Sequence, residues 1–160
     1  MQIKYEVIGK IISPFKDAKG TPIQGPAAND IKGKIEIFPK YQEGLKDIEG
    51  FSHLILIYHF HLAKKGSLKG YPFLDNREHG VFAFRGPSRP NTIGISIVRL
   101  MKVDKNIIFI KDVDILNDTP LLDIKPYIPE FDKREVTSIG WLGDKVHKLE
   151  KTRDDGRFCN

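Results

Sequence analysis

Apolar residues recur at every second position over most of this chain, and that period limits its fold more than any other feature. Ile3, Tyr5 and Val7 alternate with Gln2, Lys4 and Glu6, and the strand they predict runs on through Lys10, Ile11 and Ile12. Residues 30–38 alternate again and stop before Pro39; residues 51–63 form a nearly continuous apolar run that suits a buried strand. Residues 80–84 read as a short strand, and residues 93–103 and 107–115 as two more. Strand side chains alternate between faces, whereas a helix needs a period of 3.6. Asp104, Lys105 and Asn106 make a tight polar turn that joins the last two runs in a hairpin. Six strands with short connections predict a mostly β protein, a small closed or partly open β-barrel. Helical spacing is confined to residues 41–48, enough for a turn or two, and residues 141–151, where Leu142, Val146 and Leu149 predict a short C-terminal helix.

A length of 160 residues suits one domain with its own core, expected at about 1–132 with a C-terminal extension over 133–160. A net charge of +5 favours an acidic partner, nucleic acid or a phosphorylated ligand first. Cys159 is the lone cysteine, so no internal disulfide forms and no zinc pattern surrounds it, which suits a reducing compartment. Residues 1–12 alternate instead of forming the apolar block of a secretory signal. The longest apolar run, 54–63, contains two histidines and is too short to span a bilayer. These features predict a soluble cytoplasmic protein with no membrane partner. A phosphate-binding G-x-x-x-x-G-K-[ST] loop, a G-x-G-x-x-G turn, a G-x-S-x-G elbow and an H-E-x-x-H helix are all missing, which removes the commonest nucleotide-binding and hydrolase classes.

The stretch FRGPSRPNTIGISIVRL, residues 84–100, is the first candidate site. Pro87 and Pro90 fix φ near −65° and bias the preceding residues toward extended structure. Arg85, Arg89 and Asn91 therefore sit on a stiff loop that feeds a core strand, and little ordering entropy is lost when a ligand arrives. A proline-rich surface loop with scattered arginines is the competing reading. Two other loops stand out: the Gly- and Pro-rich residues 13–29, and residues 63–79 with Lys64, Lys65, Lys69 and Arg77, read either as a solvated basic loop or as a nucleic-acid contact.

His53, His59 and His61 share strand parity. Same-face Cβ atoms on a strand lie roughly 7 Å apart, whereas metal ligand atoms sit near 2 Å from a shared ion, so no metal is assigned. His61, at the strand end, is read as a ligand contact, and the others as hydrogen-bonded strand residues. Asp112, Asp114, Asp118 and Asp123 form a second polar cluster with Thr119-Pro120 and Lys125-Pro126-Tyr127. It reads either as a turn with acidic caps, the preferred reading for Asp112, or as carboxylates that hold ribose hydroxyls or a cationic ligand, or polarise an acceptor.

Five collinear motifs now join these candidates: IGKIISPF; Pro22 and Gln24; FSHLILIYHFH; GVFAFRGPSRPNTIGIS; and NDTPLLDIKPY. Together the chain resembles, from about Val7 to Pro129, the TrmO-type (YaeB-like or TsaA-like) family of S-adenosylmethionine-dependent tRNA methyltransferases. The resemblance implies a small β-barrel that binds S-adenosylmethionine without a Rossmann sheet, a homodimer with the cofactor near the subunit interface, and tRNA as substrate. The methylated atom would be N6 of N6-threonylcarbamoyladenosine beside the anticodon. Carried over by matching position, the cofactor contacts would be Pro22, Ile23, Gln24, His61, Leu62, Arg85, Ile95, Asn117, Asp118, Thr119 and Pro120. Arg89 and Asn91 would hold the RNA backbone or the threonyl carboxylate, for which a guanidinium fork is well shaped. Asp114 is the carboxylate expected nearest the transfer, with Asp123 second, and Lys125 and Tyr127 would orient the acceptor.

Three departures accompany the resemblance. Thr92 replaces the second proline of RPNPIG, and Asn117-Asp118 replaces Asp-Gly, so Asp118 must take the glycine's backbone at a cost of about 1 kcal/mol. The sequence stops at Asn160, whereas many bacterial members continue into a second domain that helps to hold tRNA. Two alternatives stay open on the residues: a methyltransferase for another acceptor, and a non-catalytic S-adenosylmethionine-binding module.

Overall fold

The computed structural model describes residues 1–64 and 66–159; Lys65, named above with the basic loop, lies outside the described residues. Among the described residues eight strands occur in order: β1 (Gly9–Ile12), β2 (Lys32–Ile37), β3 (His53–His59), β4 (Lys69–Gly70), β5 (His79–Gly80), β6 (Ile93–Asp104), β7 (Ile107–Lys111) and β8 (Thr119–Pro126). Six of them close an antiparallel barrel in the order β1-β2-β7-β6-β3-β8, and β4 pairs with β5 outside it. Inward residues of the alternating runs fill it: Ile11, Ile35, Leu54, Leu56, Val98, Ile108 and Leu121 are fully buried. Closure leaves the barrel itself without a free edge, which removes the usual route to edge-to-edge association there.

The barrel is the mostly β architecture the periodicity predicts, with one exchange of strands. Residues 80–84 do not enter it; they make a 3-10 turn, Val81–Ala83, after the two-residue β5. The sixth place goes to β8, which had read as a polar turn cluster because prolines stand at Pro120 and Pro126. Both lie near its ends, where a missing N–H is tolerated. The first strand is shorter than predicted: residues 1–7 are exposed and unpaired by any strand, although Glu6 is bound by Lys40 and Tyr41. The run 107–115 stops as a strand at Lys111, because Asp112 turns left-handed at φ 67°.

The helical expectations also change. Residues 39–45 and 48–50 are 3-10 turns, and α1 is a single turn, Pro129–Asp132. The predicted C-terminal helix is two 3-10 segments, Gly140–Leu142 and Val146–Lys151, split around Gly143. This extension folds back on the barrel. Its chain bridges Pro22 through Arg153 and Ala63 through Cys159, and the Lys64 N–H donates to the Phe158 carbonyl at 2.9 Å. Phe158 is buried against Phe84, stacked with centroids 6.1 Å apart, and meets Phe73 edge-on at 5.1 Å.

Candidate functional site

The site begins where β3 and β6 pair. Tyr58 stands opposite Gly94, and a Cβ at Gly94 would lie 2.2 Å from the Tyr58 ring, so glycine is the residue that lets the ring lie across the strand. The phenol meets the Ser96 hydroxyl at 3.0 Å, and Ser96 donates to Asp114 at 2.6 Å. Val113 and Ile115 are buried in the core, and Asp114 between them turns to Ser96. Burial pushes the Asp114 carboxyl up to about 6; its bonds from Ser96 and its own backbone, and the nearby Arg85 charge, recover only part of that cost. Burial likewise holds the Tyr58 phenol far above its ordinary value.

Asp114 lines a cavity of about 880 Å³, within the usual range for ligand sites. The same cavity is lined by Pro22, Ile23, Gln24, His61, Leu62, Arg85, Arg89, Asn91, Ile95 and Thr119, so four sequence-distant candidate segments meet there. Gln24 and Arg85 are in contact, Nη1 donating to Oε1 at 3.5 Å. Arg89 is partly spent on its own loop: Nη1 donates to the carbonyls of Phe84 at 3.1 Å and Gly86 at 3.3 Å. Burial, then the neighbouring His59, lower the His61 pKa against the pull of Asp118, so its imidazole is neutral near pH 7. Thr119 lies 3.4 Å from its Nδ1.

Six other candidates, Asp123 among them, do not line the cavity. Asn117 braces the end of β1, accepting the Ser13 N–H at 3.1 Å and donating to Asp118 at 2.8 Å. Asp118 is left-handed at φ 58°, the conformation that replacing glycine demanded. Pro120 is paired with Lys10 in β1. Lys125 pairs with Asp123 at 2.8 Å, and the Tyr127 N–H donates to His53, at the far end of β3 from His59. At ~3.3 Å per residue, Lys125 is ~20 Å along β8 from Thr119, the one residue of that strand that lines the cavity. The histidines separate too: His53 meets Ser52, His59 meets the Thr92 hydroxyl at 3.2 Å, and His61 alone reaches the cavity.

Other wall residues went unread in the sequence. Trp141, Leu142, Val146, Leu149 and Phe158 of the extension line the cavity; the helical spacing had marked three of them as an apolar face without saying what they face. Tyr58 and Ser96 carried no signal, since their bond spans 38 positions. Asp75 tethers the extension by accepting from Lys145 at 2.5 Å and meeting His79 at 3.1 Å, with His79 stacked on Trp141. The result is a concave site with aromatic and aliphatic walls and three convergent polar groups, Gln24, Arg85 and Asp114. It can hold a flat ring with a charged tail and take up a proton near neutrality.

Comparison with known proteins identifies relatives of the chain. Residues 10–133 match the family model described as tRNA-methyltransferase O N-terminal domain. A probable S-adenosyl-L-methionine-binding protein of Pyrococcus abyssi is 62% identical over 99% of this chain and 86% of its own length. The human tRNA (adenine(37)-N6)-methyltransferase is 35% identical over 79% of this chain but only 30% of its own. A crystal structure of TrmO from Pseudomonas aeruginosa superposes with TM-score 0.74 at 34% identity, covering 88% of this chain. The chain spans less than two thirds of that structure, 63%.

Proposed function

The chain belongs to the tRNA-methyltransferase O family of S-adenosylmethionine-dependent methyltransferases, and from that premise we propose that it methylates N6 of N6-threonylcarbamoyladenosine beside the tRNA anticodon. The observation that carries the reading is Asp114, a carboxylate that titrates near neutrality in the wall where Gln24 and Arg85 converge.

The residues present fit the cofactor: apolar walls for its adenine, the Arg85 guanidinium for its carboxylate, and the Gln24 amide beside it. When bound, S-adenosylmethionine supplies an electrophilic methyl group on a cationic sulfur. Pro22, Ile23, His61, Leu62, Ile95 and Thr119 complete the binding wall; Asn117, Asp118 and Pro120 act from behind it by fixing the turn. The acceptor nitrogen carries one proton that must leave as its new bond to carbon forms, and Asp114 Oδ accepts it. With a pKa of about 6 the group is mostly ionised at pH 7.5 yet basic enough to take a proton, near the optimum for a general base. Alignment supplies the rest of the acceleration, by up to roughly 7–11 kcal/mol. Arg89 and Asn91 at the rim engage RNA phosphate or the threonyl carboxylate; Lys125 and Tyr127 lie outside this wall and are given no role in the transfer.

We read the chain, extension included, as one S-adenosylmethionine-binding domain that works as a homodimer in the cytoplasm. Support for pairing comes from the outward row of β6, where Ile93, Ile95 and Ile97 are 42%, 54% and 45% exposed and the first two also line the cavity. Light scattering at micromolar concentration should give twice the chain mass. No helix among the described residues is long and apolar enough to cross a membrane.

The decisive assay incubates the protein with S-adenosylmethionine and an anticodon stem-loop that carries N6-threonylcarbamoyladenosine. Nucleoside mass spectrometry should show one added methyl on that base, with S-adenosylhomocysteine formed in equal amount. Product on protein or metabolite fractions alone would replace this acceptor, and cofactor binding without turnover would make the chain a binding module.

A further inference from the structure

Resting on the methyl-transfer reading above, we propose that Phe82 is the platform on which the acceptor base stacks, and that Trp141 is the positioning residue that fixes it. Phe82 is 79% exposed, the highest value for an aromatic side chain among the described residues. It lines the mouth of the cavity beside Arg85. Such exposure normally goes with a loose loop, but here every neighbour is held. Val81 is 1% exposed and its N–H donates to the Leu68 carbonyl at 3.0 Å. The Ala83 carbonyl accepts the indole N–H of Trp141 at 2.9 Å, and Phe84 is buried against Phe158.

Three pinned residues thus present one ring to solvent at the rim of a ligand site. A rigid ring loses little conformational freedom when a flat partner settles on it. Unpaired loop bases are read in this way, by stacking on aromatic side chains, and a base whose exocyclic nitrogen must reach Asp114 has to leave its own stack first. Trp141 belongs to the extension, beyond the residues 10–133 that match the family model, so a segment outside that domain would set the geometry of the acceptor. The stack of Trp141 on His79, centroids 4.6 Å apart, holds the indole in turn.

The test compares Phe82→Ala, Phe82→Leu, Phe82→Trp and Trp141→Phe with the wild-type chain, using the modified stem-loop for turnover, calorimetry for S-adenosylmethionine, and light scattering for mass. Phe82→Ala should raise KM for the stem-loop roughly ten- to a hundredfold, the range expected for one stacked base, and leave cofactor affinity unchanged. Phe82→Leu should stay impaired and Phe82→Trp should recover. Trp141→Phe keeps a ring but loses the N–H to Ala83, and should raise the same KM a few-fold. Leucine serving as well as phenylalanine would overturn the proposal. So would a parallel loss of cofactor affinity, which would make the ring part of the cofactor wall, or a halved mass, which would make it a subunit contact. A wild-type chain that methylates no stem-loop defeats the methyl-transfer reading and the stacking role together. An active wild type matched by Phe82→Ala defeats the stacking role alone.

Discussion

Asp112 and Asp114 are two positions apart and have opposite fates. Asp112 sits in a closed set of charges: Arg99 donates to both its oxygens, at 3.1 and 3.0 Å, the Asp30 N–H adds a third bond at 2.8 Å, and Lys111 reaches Asp30 at 3.0 Å. Burial works to raise its pKa, but the bonds from Arg99 and Asp30 outweigh it and the carboxyl ends below its ordinary value. Among the described residues Asp114 has one side-chain hydrogen bond, from Ser96, and no cation in contact; its carboxyl ends well above the ordinary value. The first carboxylate is spent on holding a left-handed turn. The second is kept costly, and that imbalance makes it useful as a base.

The strongest way to break this contrast is Asp114→Asn. Turnover should fall by roughly 10²–10⁴-fold, the range for loss of a general base. Stability should move the other way. The folded pKa, about 6, lies above the ordinary 3.8, so the native state favours the protonated form; that advantage is complete below pH 3.8 and is lost as pH rises through 6. The neutral asparagine avoids that loss and should stabilise the protein at pH 7.5 by ~1–2 kcal/mol, after allowance for solvent reaching the cavity. Thermal denaturation should show a gain about half as large at pH 5 as at pH 7.5, since pH 5 lies between the ordinary and the folded pKa. In the wild type, kcat should climb with pH through about 6. A flat profile there, under rate-limiting chemistry, would remove Asp114 as the base.

Gly94→Ala tests the scaffold behind the same carboxylate. The new methyl meets Tyr58 at 2.2 Å and must displace the ring from Ser96. Overpacking of this kind costs ~1–3 kcal/mol, and turnover should fall along with the melting temperature. Arg85→Ala should weaken S-adenosylmethionine binding about tenfold by calorimetry, as loss of a charge-assisted contact does, with little change in melting temperature. Arg99→Ala is the mildest. Its charge pairs are half exposed and screened, so the melting temperature should drop by only a few degrees while cofactor affinity holds. The wild-type share of stability from Asp112 is present above the ordinary carboxylate value and fades as pH falls below it, so the gap between Arg99→Ala and wild type should narrow in acid. Loss of turnover in Arg99→Ala with an unchanged melting temperature would reverse the roles assigned to the two aspartates.

Five of the six barrel strands were legible because their apolar residues alternate or run on without a break, and most of their inward residues are aliphatic. β8 was not, since its prolines and Asp123 obscure the period, and only pairing to β1 and β3 makes it a strand. The stiff loop was legible for the same local reason: its prolines and arginines are adjacent, and its Gln24 partner had been marked on another loop. The candidates that fell outside the cavity, Lys125 and Tyr127 above all, were near Asp114 in sequence only. A strand carries its residues away from a point by ~3.3 Å each, so proximity along the chain says little once the strand begins.

Period, punctuation and charge are local properties, and they determined the barrel class, the stiff cationic loop and the acidic turn before any fold was known. Which of four aspartates would be buried with no cation bonded to it, and which ring would be pinned outward, depends on contacts between residues many positions apart. Burial and hydrogen-bond satisfaction are set by the assembled neighbours of a group rather than by its own chemistry, and only the closed barrel with its extension folded back supplies those neighbours.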